Sequence, residues 1–217
     1  MRSVLLATLI LAFAAPAAHA AVTVDMKVDP DETRYGESTE ITGTALLDGA
    51  PFAGRPVVLE ARRYPFEGEF EVVDETVTAA DGTYEFEREL DRNWDLRVRV
   101  DDAVSARDRA YVFPAFKLTF RARNSRVIRL TQRYRVPRGV RLEKPTIFYV
   151  GKRGRKRAPR VATGELERVR RGRYRSTAIV RIPAKWKGRF RYASCFRYTG
   201  GSGMGNPRAS CPRRFRF

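Results

Sequence analysis

The sequence predicts an all-β chain built as two tandem β-sandwiches, and three observations carry that expectation. Short runs of alternating apolar and polar residues recur along the chain with turn residues every ~8–12 positions, and no amphipathic helix of useful length interrupts them. The sign of the charge reverses near Pro114: residues 22–113 hold 22 acidic and 11 basic side chains, a net of −11, and residues 114–217 hold 3 acidic and 31 basic, a net of +28. So abrupt a reversal marks a domain boundary. The only two cysteines, Cys195 and Cys211, bracket a glycine-rich segment that follows an alternating aromatic strand.

Residues 1–20 are read first, because they do not belong to the fold. Arg2 is a minimal positive region, residues 4–18 are apolar, and Ala18-His19-Ala20 fits the small-x-small cleavage pattern of a secretory signal peptide. The apolar run is shorter than the ~20 residues that span a bilayer, so cleavage before Ala21 is expected, rather than retention as an anchor. Export to the cell exterior or envelope places the two cysteines in an oxidising compartment, where a single Cys195–Cys211 bridge follows. Closing a fifteen-residue loop contributes ~3 kcal/mol on the chain-entropy view. A redox or metal role for the pair lacks CxxC spacing and supporting histidines.

In the acidic half, residues 21–113, strands are expected over 22–28, 38–47, 55–61, 69–78, 82–90, 96–100 and 104–112. Asp29-Pro30-Asp31 and Asp48-Gly49 supply turns. Thr78-Ala79-Ala80-Asp81-Gly82-Thr83-Tyr84-Glu85-Phe86 resembles the T-x-x-D-G-x-Y-x-F hairpin of bacterial immunoglobulin-like and transthyretin-like (carboxypeptidase regulatory-like) domains. Gly36 to Gly43 resembles their G-x-x-x-x-I-x-G opening strand, and Gly49 to Val57 their G-x-P-x-x-G-x-x-V turn. The resemblance implies an immunoglobulin-like β-sandwich and no particular activity. Asp29, Asp31, Glu32, Asp101 and Asp102 lie at expected strand ends, the kind of oxygen set that holds calcium in secreted sandwiches, although no fixed-spacing loop is present.

In the basic half, residues 114–217, strands are expected over 116–123, 126–136, 144–150, 160–167, 172–182, 187–198 and 213–217. Gly172-x-Tyr174 followed by Trp186 parallels Gly82-x-Tyr84 followed by Trp94, which suggests two tandem immunoglobulin-like sandwiches. This half also resembles uncharacterised C-terminal modules of secreted proteins from high-GC bacteria. Along the last long strand Trp186, Phe190, Tyr192, Phe196 and Tyr198 share one face, while Arg189, Arg191 and Arg197 share the other with Cys195. The aromatics are expected to fill the core, and the bridge to lie on an outer face or at a strand end. The outward arginines and the loop 200–207 are then left for a partner.

Little in the sequence points to catalysis. The sole histidine, His19, leaves with the signal peptide, and no G-x-S-x-G is present, so histidine-based triads have no residues to use. Glu85, Glu87 and Glu89 alternate with Tyr84, Phe86 and Leu90, the pattern of a solvated outer face rather than a glycosidase pair. No cofactor is expected. The basic surface is the candidate for function. Lys152, Arg153, Arg155, Lys156, Arg157 and Arg160 crowd one segment, Arg168, Arg170, Arg171, Arg173 and Arg175 follow, and Arg189, Arg191 and Arg197 complete the set of anion-binding candidates. Of the 43 basic residues 36 are arginine, the side chain suited to bidentate contacts with phosphate or carboxylate. The expected function is a non-catalytic secreted or envelope module whose basic domain contacts an anionic envelope polymer or an acidic protein surface, including its own acidic half. An extracellular nucleic-acid-binding protein and a hydrolase with unplaced carboxylates are the alternatives. An outer-membrane barrel ending in Arg214-Phe215-Arg216-Phe217 lacks the uncharged lipid-facing segments it would need.

Overall fold

The computed structural model describes residues 21–186, 188–197 and 200–217, so the expected signal peptide lies outside the described residues. Before Pro114 the chain forms β1 (Val22–Val24), β2 (Lys27–Asp29), β3 (Glu32–Arg34), β4 (Ser38–Leu47), β5 (Ala50–Pro51), β6 (Pro56–Arg63), β7 (Glu71–Val77), β8 (Thr83–Glu89), β9 (Trp94–Val100), β10 (Ala103–Val104) and β11 (Asp108–Phe113). One sheet is centred on β4, with β1 and β2 along one edge and β8 and β5 along the other; the second runs β3-β11-β9-β6-β7, with β10 on β9. Period-two alternation decides what is buried. Ile41, Ala45, Tyr84 and Phe86 face Val57, Leu59, Leu96, Val98 and Val100 across the sandwich, while Glu85, Glu87 and Glu89 stay exposed.

Several details depart from the sequence reading, the first being that the strand expected over 22–28 divides into β1 and β2, both paired with β4. The segment after Asp29-Pro30, expected to be only a turn, continues into β3 and pairs in parallel with β11, Thr33 opposite Val112. The strand expected over 104–112 is interrupted between β10 and β11: the Ser105 amide still donates to the Val98 carbonyl, but the Val98 amide donates to the Ser105 hydroxyl at 2.9 Å rather than to a backbone carbonyl.

After Pro114 the strands are β12 (Ala115–Asn124), β13 (Val127–Arg135), β14 (Ile147–Lys152), β15 (Arg157–Thr163), β16 (Glu165–Arg170), β17 (Arg173–Arg181), β18 (Phe190–Cys195) and β19 (Arg214–Arg216). They stack as two sheets, β12-β13-β17-β16 and β18-β14-β15-β19. The described residues are thus all-β, in immunoglobulin-like sandwiches. The single strand expected over 160–167 becomes two strands in different sheets, divided at Gly164. A Cβ there would collide with Ser176 and Phe148, so only glycine lets the chain cross so close to the opposite sheet.

Between these sheets lie Ile128, Leu130, Phe148, Val150, Ala178 and Val180, with Trp186, Phe190 and Tyr192 packed against them. Phe190 and Tyr192 of the last long strand therefore point inward, as expected, and Phe196 packs on the first core, while Tyr198 lies outside the described residues. Trp186, however, sits in a short 3-10 turn, Ala184–Trp186, whereas Trp94 opens a central strand; the parallel between the halves holds for the two tyrosines and not for the two tryptophans. Cys195 and Cys211 are bonded, with Cα atoms 5.7 Å apart. The bridge lies on the outer side of its sheet, in a small apolar cluster with Ile147, Tyr149, Ala158, Phe215 and Phe217. The Tyr149 hydroxyl donates to the Pro212 carbonyl at 2.6 Å, which anchors the chain leaving Cys211.

Strand pairing changes at Pro114, but the apolar core does not stop there. The cluster that fills the first sandwich continues through Tyr134, Val136, Val140, Leu142 and Tyr174 to Met204. A polar row divides it from the rest of the second sandwich: Gln132 and Ser176 face each other across β13 and β17, and the Ser194 hydroxyl donates to Gln132 at 2.9 Å. The loop after β18 then inserts into the first sandwich. Met204 is fully buried there. Asn93 ties this insertion together: its amide N–H donates to the Gly203 carbonyl at 2.7 Å, its side-chain nitrogen donates to the Gly205 carbonyl at 2.9 Å, and its side-chain oxygen accepts from the Val112 amide at 2.9 Å. Gly203 has φ +64°, and a Cβ on it would stand 2.8 Å from the Tyr64 ring, so the latch needs glycine twice over. This corrects the expectation that loop 200–207 is left for an outside partner. Ser202, Gly203, Met204 and Gly205 are buried against the first sandwich.

Candidate functional site

The outer face of the β12-β13-β17-β16 sheet is strongly cationic. On β13, Ile128, Leu130, Gln132 and Tyr134 point inward, which turns Arg129, Thr131, Arg133 and Arg135 outward; β17 does the same with Arg173, Arg175 and Arg181. The register then sets like charges side by side. Lys117, Arg133 and Arg175 form one cross-strand row, Arg135, Arg173 and Arg170 another, and Arg121 lies opposite Arg129. Directly opposed like charges destabilise a sheet by a few tenths of a kcal/mol each. Among the described residues one carboxylate relieves them, Glu167 at 3.7 Å from Arg175.

The first sandwich treats its arginines differently. Asp95, whose side chain is 4 % exposed, meets Arg109 at 2.6 Å and Arg62 at 3.2 Å, and Glu60 meets Arg97 at 2.7 Å and Arg99 at 2.9 Å. Phe70 covers Arg62 and Arg97, and Phe66 covers Arg109. Burial alone would raise both carboxyl pKa values. The hydrogen bonds from Arg109 and Arg62 to Asp95, and from Arg99 and Arg97 to Glu60, outweigh it and hold both groups below the usual carboxylate range. In this half partly exposed arginines lie over buried carboxylates. In the second half arginine is left facing solvent.

At the end of the cationic face nearest the first sandwich, the sheet runs into a cleft of about 940 Å³ between the two halves. Its walls carry Arg135, Arg138, Arg170, Arg171 and Arg173 from the second sandwich, with Tyr35, Gly36 and Glu89 from the first. Two arginine–aromatic stacks span the junction in opposite senses. Arg135 lies over Tyr35 at 5.6 Å and Arg34 over Phe116 at 4.6 Å. Among the described residues no ion pair joins the halves.

Of the candidates picked from the sequence, Arg168, Arg170, Arg171, Arg173 and Arg175 lie on β16, on β17 and in the turn between them, within this sheet, and the others fall in separate places on the other sheet. Lys152, Arg153, Arg155, Lys156 and Arg157 crown the β14–β15 hairpin, and the Arg153 amide donates to the Arg189 carbonyl at 3.1 Å, which brings Arg189 to the same tip. Arg191 stands on β18 opposite Gly151. Arg160 donates to the Thr163 hydroxyl at 2.7 Å, and with Arg197 and Lys144 it lines a hollow of about 310 Å³ beside the disulfide. Arg129, Arg133 and Arg135 were missed because sequence density favours the hairpin and the run 168–175, whereas the strand period spreads these three and only pairing brings them to Arg173 and Arg175. The signal was present as Arg-x-Arg alternation inside two apolar strands. Of the calcium candidates, Asp29 is held by Lys27 at 2.6 Å and Asp101 by Arg55 at 2.7 Å. Among the described residues no group of three or more acidic, histidine or cysteine side chains is placed to hold a metal ion, and no helix is long and apolar enough to cross a membrane.

No protein-family model matches the chain, and no curated protein matches it. Among solved structures it is similar to E. coli alpha-2-macroglobulin in its native conformation, at 15 % identity and a TM-score of 0.34. That match covers 83 % of this chain and 12 % of the macroglobulin, too distant a likeness to bear on what this protein does.

Proposed function

We propose that this protein is a non-catalytic binding module of the cell exterior or envelope that holds anionic polymers on the outer face of its second sandwich. One observation carries the reading: cross-strand rows of guanidinium groups are set side by side, and among the described residues a single ion pair, Glu167 with Arg175, relieves them. Rows repeat at ~7 Å along a strand and ~4.8 Å across strands, which presents a flat lattice of charge to a flexible polyanion. Such binding selects charge before chemistry and weakens steeply with salt. Phe190 and Tyr192 pack against the core, which argues against a stacking platform for single-stranded nucleic acid. The two most buried carboxylates, Asp95 and Glu60, are each pinned by two arginines in their ionised form, which suits structure and not proton transfer.

The test is retention of the full chain on an immobilised acidic polysaccharide across a salt series. Retention at low salt that falls linearly in log–log form supports the reading, and replacing Arg133 and Arg175 by Gln should lower the slope by about two. Absence of retention at low salt refutes it. A large preference for DNA over the acidic glycan would move the assignment to nucleic acid.

A further inference from the structure

We propose that the cleft between the sandwiches is a discrete site for a compact, multiply charged oxyanion, a phosphomonoester carried on a larger molecule. This rests on the cationic reading of the second sandwich, but it concerns a different shape. The sheet face is flat; the cleft is concave, and its volume falls within the ~300–1,000 Å³ of ordinary ligand pockets.

Arg135, Arg173 and Arg170 enter it as one row across three neighbouring strands, while Arg138 and Arg171 come from the turns on either side. Among the described residues none of the five has a carboxylate partner, and Glu89 is the only acid in the lining. A singly charged group inside a polymer would leave most of these cations facing one another. A terminal phosphomonoester brings a charge of about −1.5 to −2 and three acceptor oxygens, the partner for which bidentate guanidinium groups are shaped. The cleft is larger than one phosphate, so it has space for the sugar or headgroup that carries it. Arg135 is already held against Tyr35 of the first sandwich, which fixes one cation in place before any ligand arrives.

Calorimetric titration of the full chain with sodium tripolyphosphate at low ionic strength tests this. One saturable site per chain is expected, weakened at least tenfold in R138A/R171A and left within about twofold in R121A/R129A, whose arginines lie further along the sheet. Glu89→Gln removes the one opposing charge and should tighten binding. Unsaturable or multiple weak binding, equal losses in the two double variants, or weaker binding in Glu89→Gln would each overturn the assignment. If acidic polysaccharide is still retained while tripolyphosphate is not bound, the cleft assignment alone falls.

Discussion

Asp95 and Glu60 show what single residues contribute. Both pKa values are lower in the folded chain than their ordinary values near 4, so their stabilisation is fully present above that pH and is lost as the pH falls through the folded values. The first sandwich should therefore loosen in acid, below about pH 4, and Asp95→Asn should flatten that limb of the stability profile. The substitution should also cost roughly 2 kcal/mol at neutral pH, since Arg109 and Arg62 lose a charged acceptor while keeping contact with water. Thermal denaturation of both proteins between pH 3 and 7 measures this; an unchanged acid limb would show that Asp95 does not govern it. Neither network was legible in the sequence. Asp95 precedes an alternating strand and reads as solvated, and only the register that sets Arg62 opposite Asp95 brings the charges together.

The loop between the bridged cysteines joins the two sandwiches. Bond formation between Cys195 and Cys211 closes the segment that delivers Met204 to the first core, so the covalent link and the latch act together. Met204→Ala should destabilise the chain by about 2–5 kcal/mol, with the first sandwich affected although the residue follows the second in sequence. Replacing both cysteines by serine should cost ~3 kcal/mol and speed amide exchange at Asn93 and Gly205, the residues that hold the latch. Exchange unchanged at those amides would mean that the latch does not depend on the bridge. The strand content of this region was readable from alternation, as were the bridge and the inward aromatics. The destination of the glycine-rich loop was not: Gly-Ser-Gly-Met-Gly reads as a solvent loop until Asn93 supplies its partners from more than a hundred residues away.

Across the whole molecule, charge is separated and stays separated. The acidic half carries a net of −11 and the basic half +28, yet apolar packing, backbone hydrogen bonds and two arginine–aromatic stacks join them. A shared core running from Val28 to Met204 makes the two sandwiches one cooperative object, so salt should weaken polymer binding without separating the halves. Unfolding followed in 50 mM and 500 mM salt should remain a single transition, and a split into two would contradict the shared core. Composition announced the charge and alternation the all-β class; neither could choose between the hairpin tip and the sheet face, because that choice is made by pairing. The most direct measurement is the affinity of the full chain for an acidic polysaccharide at fixed low salt, comparing R133E/R175E on the sheet face with K152E/R155E on the hairpin. A loss of tenfold or more in the first pair with little change in the second is the expected result. Equal losses in the two, or a greater loss from the hairpin pair, would contradict the sheet face as the binding surface.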